Sequence, residues 1–209
     1  MKDRIFTKFC GITNSKDALN AEKSGCNAMG FVFVEKSKRY IDLDTYLKIQ
    51  HSISPLIVKV ALFSDNTENE IERVINSGKI HIIQFHGNET PEFCEKFNRP
   101  YWKAIPMKDG VNILEYANKY PNADAFIIDN YGSSKIGGSG ETFDWNELPK
   151  LNGKKWILAG GITSKNVIHS LTMTSIKNID LSSGIEKYPG KKSYKKMKKF
   201  INKIKEYND

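Results

Sequence analysis

Cys10, Asp129 and Arg39 are the residues of this sequence whose types and settings could do acid–base chemistry on an anionic ligand. Cys10 follows an apolar-rich run, residues 5–9, and is followed at once by Gly11 and then by the helix-start residues Asn14, Ser15 and Asp17. A thiol at the end of a strand can serve as nucleophile, general base or metal ligand, in each case as thiolate. It can equally be a small buried hydrophobe. Asp129 ends the apolar run 125–128. A buried carboxylate is costly unless paired or protonated, and burial favours the protonated form, which suits a general acid; the plainer reading is a cap for the loop through Asn130 and Tyr131. Arg39, beside Lys36 and Lys38, offers a two-pronged grip on a ligand carboxylate or a solvent-facing charge. Gln84 and His86 read as polar substrate contacts or structural hydrogen-bond formers. No second His or Cys stands at ligand spacing, so no metal site is expected.

Three glycine-bearing stretches add an anion grip: Gly137-Gly138-Ser139-Gly140, Gly160-Gly161 and Ser182-Ser183-Gly184. Glycines let backbone N–H groups approach an anion closely, and a helix start adds a favourable dipole. The stretch as a whole assigns Gly138, Gly140, Gly160, Gly161, Ser183 and Gly184 to a phosphate.

These residues need a scaffold, and the chain supplies a regular one. Short β-branched or aromatic runs alternate with helix-period segments. Strands are expected over 5–10, 28–34, 56–63, 81–85, 101–105, 125–129, 155–159 and 178–182. Helices are expected over 15–24, 43–52, 68–76, from 90, near 111–119, over 144–148, from 163–164, and in the basic tail. Eight strand–helix units predict an α/β fold, a single (β/α)8 TIM barrel with a parallel eight-stranded core covering 1–209 as one catalytic domain. In such a barrel the loops after the strands build the active site, and every candidate above falls there.

Composition narrows the class. The 209 residues are enough for one well-buried domain. Three cysteines without CxxC spacing point to a reducing compartment and no disulfide framework. The N-terminus has no export signal and no run is long enough to span a membrane, so a cytoplasmic protein without a membrane partner is expected. The net charge is +8. Its excess lies late, from Lys187 to Lys205, and reads as the solvated face of one outer helix whose buried stripe is Tyr194, Met197, Ile201 and Ile204. No aromatic residues interleave the basic face, so nucleic acid is not an expected partner.

The blocks together resemble one family, the phosphoribosylanthranilate isomerases of tryptophan biosynthesis. The resemblance rests on Lys8-Phe9-Cys10-Gly11-Ile12-Thr13, Gly30-Phe31-Val32-Phe33 with Ser37-Lys38-Arg39-Tyr40-Ile41, and Gln84-Phe85-His86-Gly87. It continues through Ile127-Ile128-Asp129, Gly137-Gly138-Ser139-Gly140 with Thr142-Phe143-Asp144-Trp145, Leu158-Ala159-Gly160-Gly161, and Asp180-Leu181-Ser182-Ser183-Gly184-Ile185-Glu186. It implies a (β/α)8 barrel and a cofactor-free Amadori rearrangement of N-(5-phosphoribosyl)anthranilate, a small phosphorylated substrate. The product implied is 1-(2-carboxyphenylamino)-1-deoxyribulose 5-phosphate. On this resemblance Asp129 matches the acid, Cys10 the base and Arg39 the anthranilate carboxylate's partner. Ala61 and Ser193 depart from the family's usual Gly and Asp, and neither touches a proposed catalytic role. Alternatives are another phosphosugar aldose–ketose isomerase, or a non-catalytic binder of phosphorylated ligands or nucleic acid. An example of the former, the histidine-pathway aldose–ketose isomerases, uses two aspartates on strands 1 and 5, whereas strand 1 here ends in Cys10. Monomer and homodimer both remain open.

Overall fold

The computed structural model describes residues 4–107, 111–129, 145, 148–149, 151 and 156–208. Eight parallel strands close in chain order: β1 (Phe6–Cys10), β2 (Ala28–Val32), β3 (Val58–Phe63), β4 (Ile82–Phe85), β5 (Tyr101–Pro106), β6 (Ala125–Asp129), β7 (Trp156–Leu158) and β8 (Asn178–Leu181). The ring shuts where β8 pairs with β1, Phe6 opposite Asn178 and Phe9 opposite Leu181, so it has no edge strand to protect. Outside lie α1 (Ser15–Ser24), α2 (Leu43–Gln50), α3 (Glu68–Ser77), α4 (Pro91–Glu95), α5 (Ile113–Asn118), α6 (Val167–Thr174) and α7 (Tyr194–Asn208). A small antiparallel hairpin, β9 (Glu186–Tyr188) and β10 (Lys191–Lys192), precedes α7.

Strand alternation sorts the side chains into two interiors. Phe9, Phe31, Phe63, Phe85 and Phe126 join the core between barrel and helices. There Phe31 meets Tyr46 at 4.9 Å between ring centroids and Phe9 meets Phe200 at 6.5 Å, both edge to face. The residues between them form separate small clusters: Cys10 with Val32 and Leu62, and Ala104, Ala125, Ile127, Ile157 and Ala159.

Helix signals act where the sequence places them. Asn14 caps α1 by accepting from the Asp17 N–H, and Gly25 ends it in the left-handed conformation at φ 95°. Thr67 and Glu70 form a reciprocal capping box on α3. Ser193, the departure noted above, caps α7 by accepting from the Lys196 N–H at 3.4 Å.

Three expectations need correction. The helix after β7 starts at Val167 rather than near 163–164. Asn166 folds back instead: its Oδ1 accepts from the Thr163 N–H at 2.7 Å and its Nδ2 donates to Gly161 O at 3.0 Å. This side-chain turn competes with helical hydrogen bonding. In α7 the buried stripe is Met197, Phe200, Ile201 and Ile204, while Tyr194 is 41% exposed. Finally, the basic tail is not one solvated face. Lys187 and Lys191 belong to the hairpin, and Lys192 is buried. The helix expected over 144–148 lies outside the described residues except for Trp145 and Leu148. Trp145 is buried, its ring 5.5 Å from that of His169. Among the described residues no helix is long and apolar enough to cross a membrane.

Candidate active site

The strand ends gather two polar groups at the barrel mouth. The first centres on Cys10, which is buried at the end of β1. Gly11 follows at φ 76°, and a Cβ there would lie 2.5 Å from Arg39 Cδ. The glycine therefore serves both the turn and the close approach of Arg39. Arg39 is held by Glu186 in a two-pronged pair, Nε to Oε1 at 2.8 Å and Nη2 to Oε2 at 2.7 Å. The fork expected for a ligand carboxylate is thus already closed by a protein carboxylate. Nη1 is the nitrogen not engaged with Glu186.

Glu186 also accepts from Lys192 Nζ at 2.8 Å, and that ammonium reaches Ser182 O and Oγ at 3.3 Å each. Burial pushes the Glu186 carboxyl up, but hydrogen bonds from Arg39 and Lys192 overcome it and hold the group below its ordinary value. Below Cys10, two positions back along β1, Lys8 Nζ donates to Asp180 Oδ2 at 2.7 Å inside the barrel. Burial pushes the Cys10 thiol above its ordinary value, with the Lys8 ammonium pulling the other way.

The second group is a chain of three side chains. Gln84 Nε2 lies 3.0 Å from His86 Nδ1, and His86 Nε2 lies 3.4 Å from Asp129 Oδ2. One ring nitrogen of His86 thus faces Gln84 and the other faces Asp129. Gln84 is fully buried and contacts His86, which lies between it and Asp129. Asp129 is 26% exposed, more open than the buried carboxylate its apolar strand suggested.

The turns after β7 and β8 abut. Gly160 and Gly161 have φ of 76° and 66°, and Ser183 opens a single 3-10 turn, Ser183–Ile185. A Cβ on Gly184 would fall 2.0 Å from Ile162 O, so only glycine lets the two turns touch. Among the described residues, the N–H groups of Gly160, Gly161, Ser183 and Gly184 donate to no protein acceptor. Gly184→Ala is expected to cost about 1–3 kcal/mol through overpacking against backbone. A urea melt would show this, and an unchanged midpoint would mean the turns part freely. Gly138 and Gly140 lie outside the described residues. No cluster of three or more metal-ligating side chains occurs among the described residues.

A family model described as N-(5'phosphoribosyl)anthranilate (PRA) isomerase matches residues 7–203. The chain belongs to the PRA isomerase family. A PRA isomerase from Neisseria gonorrhoeae is 42% identical over 198 residues, covering 95% of each chain. The crystal structure of the PRA isomerase from Thermus thermophilus superposes with a TM-score of 0.87 at 33% identity, covering 97% of this chain and 100% of that one. Another PRA isomerase, solved with reduced 1-(o-carboxyphenylamino)-1-deoxyribulose 5-phosphate, gives 0.83 at 30% identity, covering 97% and 99%.

Sequence reasoning gave no role to Lys8, Asp180, Glu186 or Lys192. The first two had a signal: charges inside apolar strands at barrel-facing positions. Glu186 stands in a block quoted for the resemblance, but no residue beside it or beside Lys192 marks the pair that the hairpin makes.

Proposed function

We propose that this barrel is a PRA isomerase of tryptophan biosynthesis in which Asp129 is the general acid and Cys10 the general base. The fold and the family's activity belong to the chain; the residue roles are our reading. It is supported by one observation above all: a thiol set among cations and a carboxyl backed by His86 end strands of one barrel mouth, β1 and β6, with β7 and β8 between them.

Protonated Asp129 gives its proton to the ribose ring oxygen as the C1–O bond breaks, and the nitrogen lone pair closes a C1=N iminium. Cys10 thiolate then takes the proton from C2, and the C2–H electron pair forms the enolamine. The enolamine becomes the ketone by gaining a proton at C1 and losing one from the C2 hydroxyl. The Cys10 thiol can supply the first and the Asp129 carboxylate can take the second, which restores both groups. The rearrangement is internally redox-neutral and needs no cofactor.

The N–H groups of Gly160, Gly161, Ser183 and Gly184, which meet no acceptor among the described residues, suit the phosphate, together with Gly138 and Gly140. The remaining Arg39 nitrogen suits the anthranilate carboxylate. We read His86 and Gln84 as holding Asp129 toward the sugar. The reading makes one barrel the catalytic domain of a cytoplasmic monomer or homodimer, with a phosphorylated small molecule as partner and neither nucleic acid nor membrane.

The test is turnover of fresh N-(5'-phosphoribosyl)anthranilate, followed as loss of anthranilate fluorescence. Inert wild-type protein would sink the assignment. Arg39→Ala should raise KM more than it lowers kcat, because the carboxylate is held alike in ground and transition states. A loss confined to kcat would place Arg39 in the transition state instead.

A further inference from the structure

The mechanism leaves one buried ion pair unused, and it lies directly beneath the base. Lys8 and Asp180 are both buried within the barrel. Neither would be stable there as a lone charge. They sit on adjoining strands, opposite one another in register. On the other side, β2 presents Gly30 opposite Cys10. A Cβ on Gly30 would lie 2.7 Å from Cys10 Sγ and 3.0 Å from Lys8 Cε. The bare glycine is therefore a niche in which the thiol and the end of the lysine stem lie side by side. Asp180 Oδ1 has no hydrogen-bond partner among the described residues, so the pair is not a fully satisfied structural bridge.

The charged groups around Cys10 come from several elements: Lys8 on β1, Asp180 on β8, Lys192 on β10, Arg39 after β2, and Glu186 on β9 between the last two. Asp129 on β6 acts on Arg39 as well, which makes three cations and three carboxylates. Arg39 and Lys192 are both tied to Glu186. Lys8 is the cation that shares the niche with the sulfur.

We propose that Lys8, kept cationic and in place by Asp180, is the positioning residue that makes Cys10 available as a base. This rests on the assignment of Cys10 as the base. Burial opposes the thiolate at this depth, and Lys8 supplies the nearest counter-charge. Asp180 keeps the lysine protonated, and its own charge acts on the sulfur in the opposite sense to Lys8.

The experiment measures the acid limb of the kcat/KM profile and, separately, thiolate formation by ultraviolet difference titration of each protein against its Cys10→Ser counterpart. Burial pushes Cys26 and Cys94 up to about 12, which keeps them out of the neutral window. In Lys8→Met the limb and the Cys10 titration should both move up by at least about one pH unit, with about a ten-fold loss of kcat/KM at neutral pH that is recovered on raising the pH. Lys8→Met leaves Asp180 unpaired, so Lys8→Met/Asp180→Asn removes both charges and carries the test if the single variant does not fold. It should shift in the same direction by less. A uniform loss of activity at every pH, with the thiolate titration unmoved, would reduce Lys8 to a structural part and overturn the proposal. Full activity in Cys10→Ser would instead defeat the base assignment, while the titration would still report whether Lys8 acts on the thiol.

Discussion

Cys10→Ser and Asp129→Asn are each expected to lower kcat by about 10²–10⁴-fold, the usual contribution of a single general acid or base, while the barrel stays folded. A serine hydroxyl fits the Gly30 niche but ionises far too weakly to take a carbon-bound proton. An asparagine keeps the size of Asp129 and a hydrogen-bonding atom toward His86, but has no proton to give the ring oxygen. The double variant should fall little below the slower single one, because both residues serve one reaction sequence. Single-turnover fluorescence on matched, circular-dichroism-checked samples decides the matter. Either variant retaining wild-type kcat would remove that residue from the chemistry.

Glu186→Ala should be the most damaging stability change at the mouth. The carboxylate holds Arg39 through two hydrogen bonds and Lys192 through a third. Removing it strands cations in a buried setting, where breaking a pair typically costs about 3–5 kcal/mol. Denaturant melts at neutral pH measure this directly; a loss below about 1 kcal/mol, as for an exposed pair, would contradict the picture. The pH dependence has a definite sign. Glu186 is held below its unfolded value, so its stabilisation is complete above the ordinary carboxylate pKa of about 4.3 and is lost as pH falls through the folded value. Glu186→Gln should lack that portion of the acid destabilisation.

Much of this was written locally in the chain. The turn from Cys10 through Gly11 to α1 was legible because strand, glycine and cap follow one another within a few residues. So was Asp129, the single charge ending an apolar run. What escaped depends on neighbours distant in sequence. Nothing near Lys192 distinguishes it from the exposed lysines around it; only Glu186 and Ser182, brought close by the hairpin, make it a buried residue. The alignment of Gln84, His86 and Asp129 needs β4 and β6 brought side by side with only β5 between them. Tyr194 was placed in the buried stripe and Phe200 left out of it by a smaller margin, since each stripe has helical spacing and packing against Phe9 selects the one with Phe200.

The seam where β8 meets β1 carries a consequence for how the protein comes into being. Lys8 and Asp180 are 172 positions apart, and Glu186 and Lys192 follow later still. A ribosome-bound chain that already has six or seven strands still lacks β8, the second partner of its first. The surroundings of Cys10 can be assembled only after the last strand emerges, so partial chains should be catalytically silent. Contacts of such long sequence separation also favour slow folding. A chain cut within a mid-barrel loop would regain activity only if the two fragments reassociate across that seam.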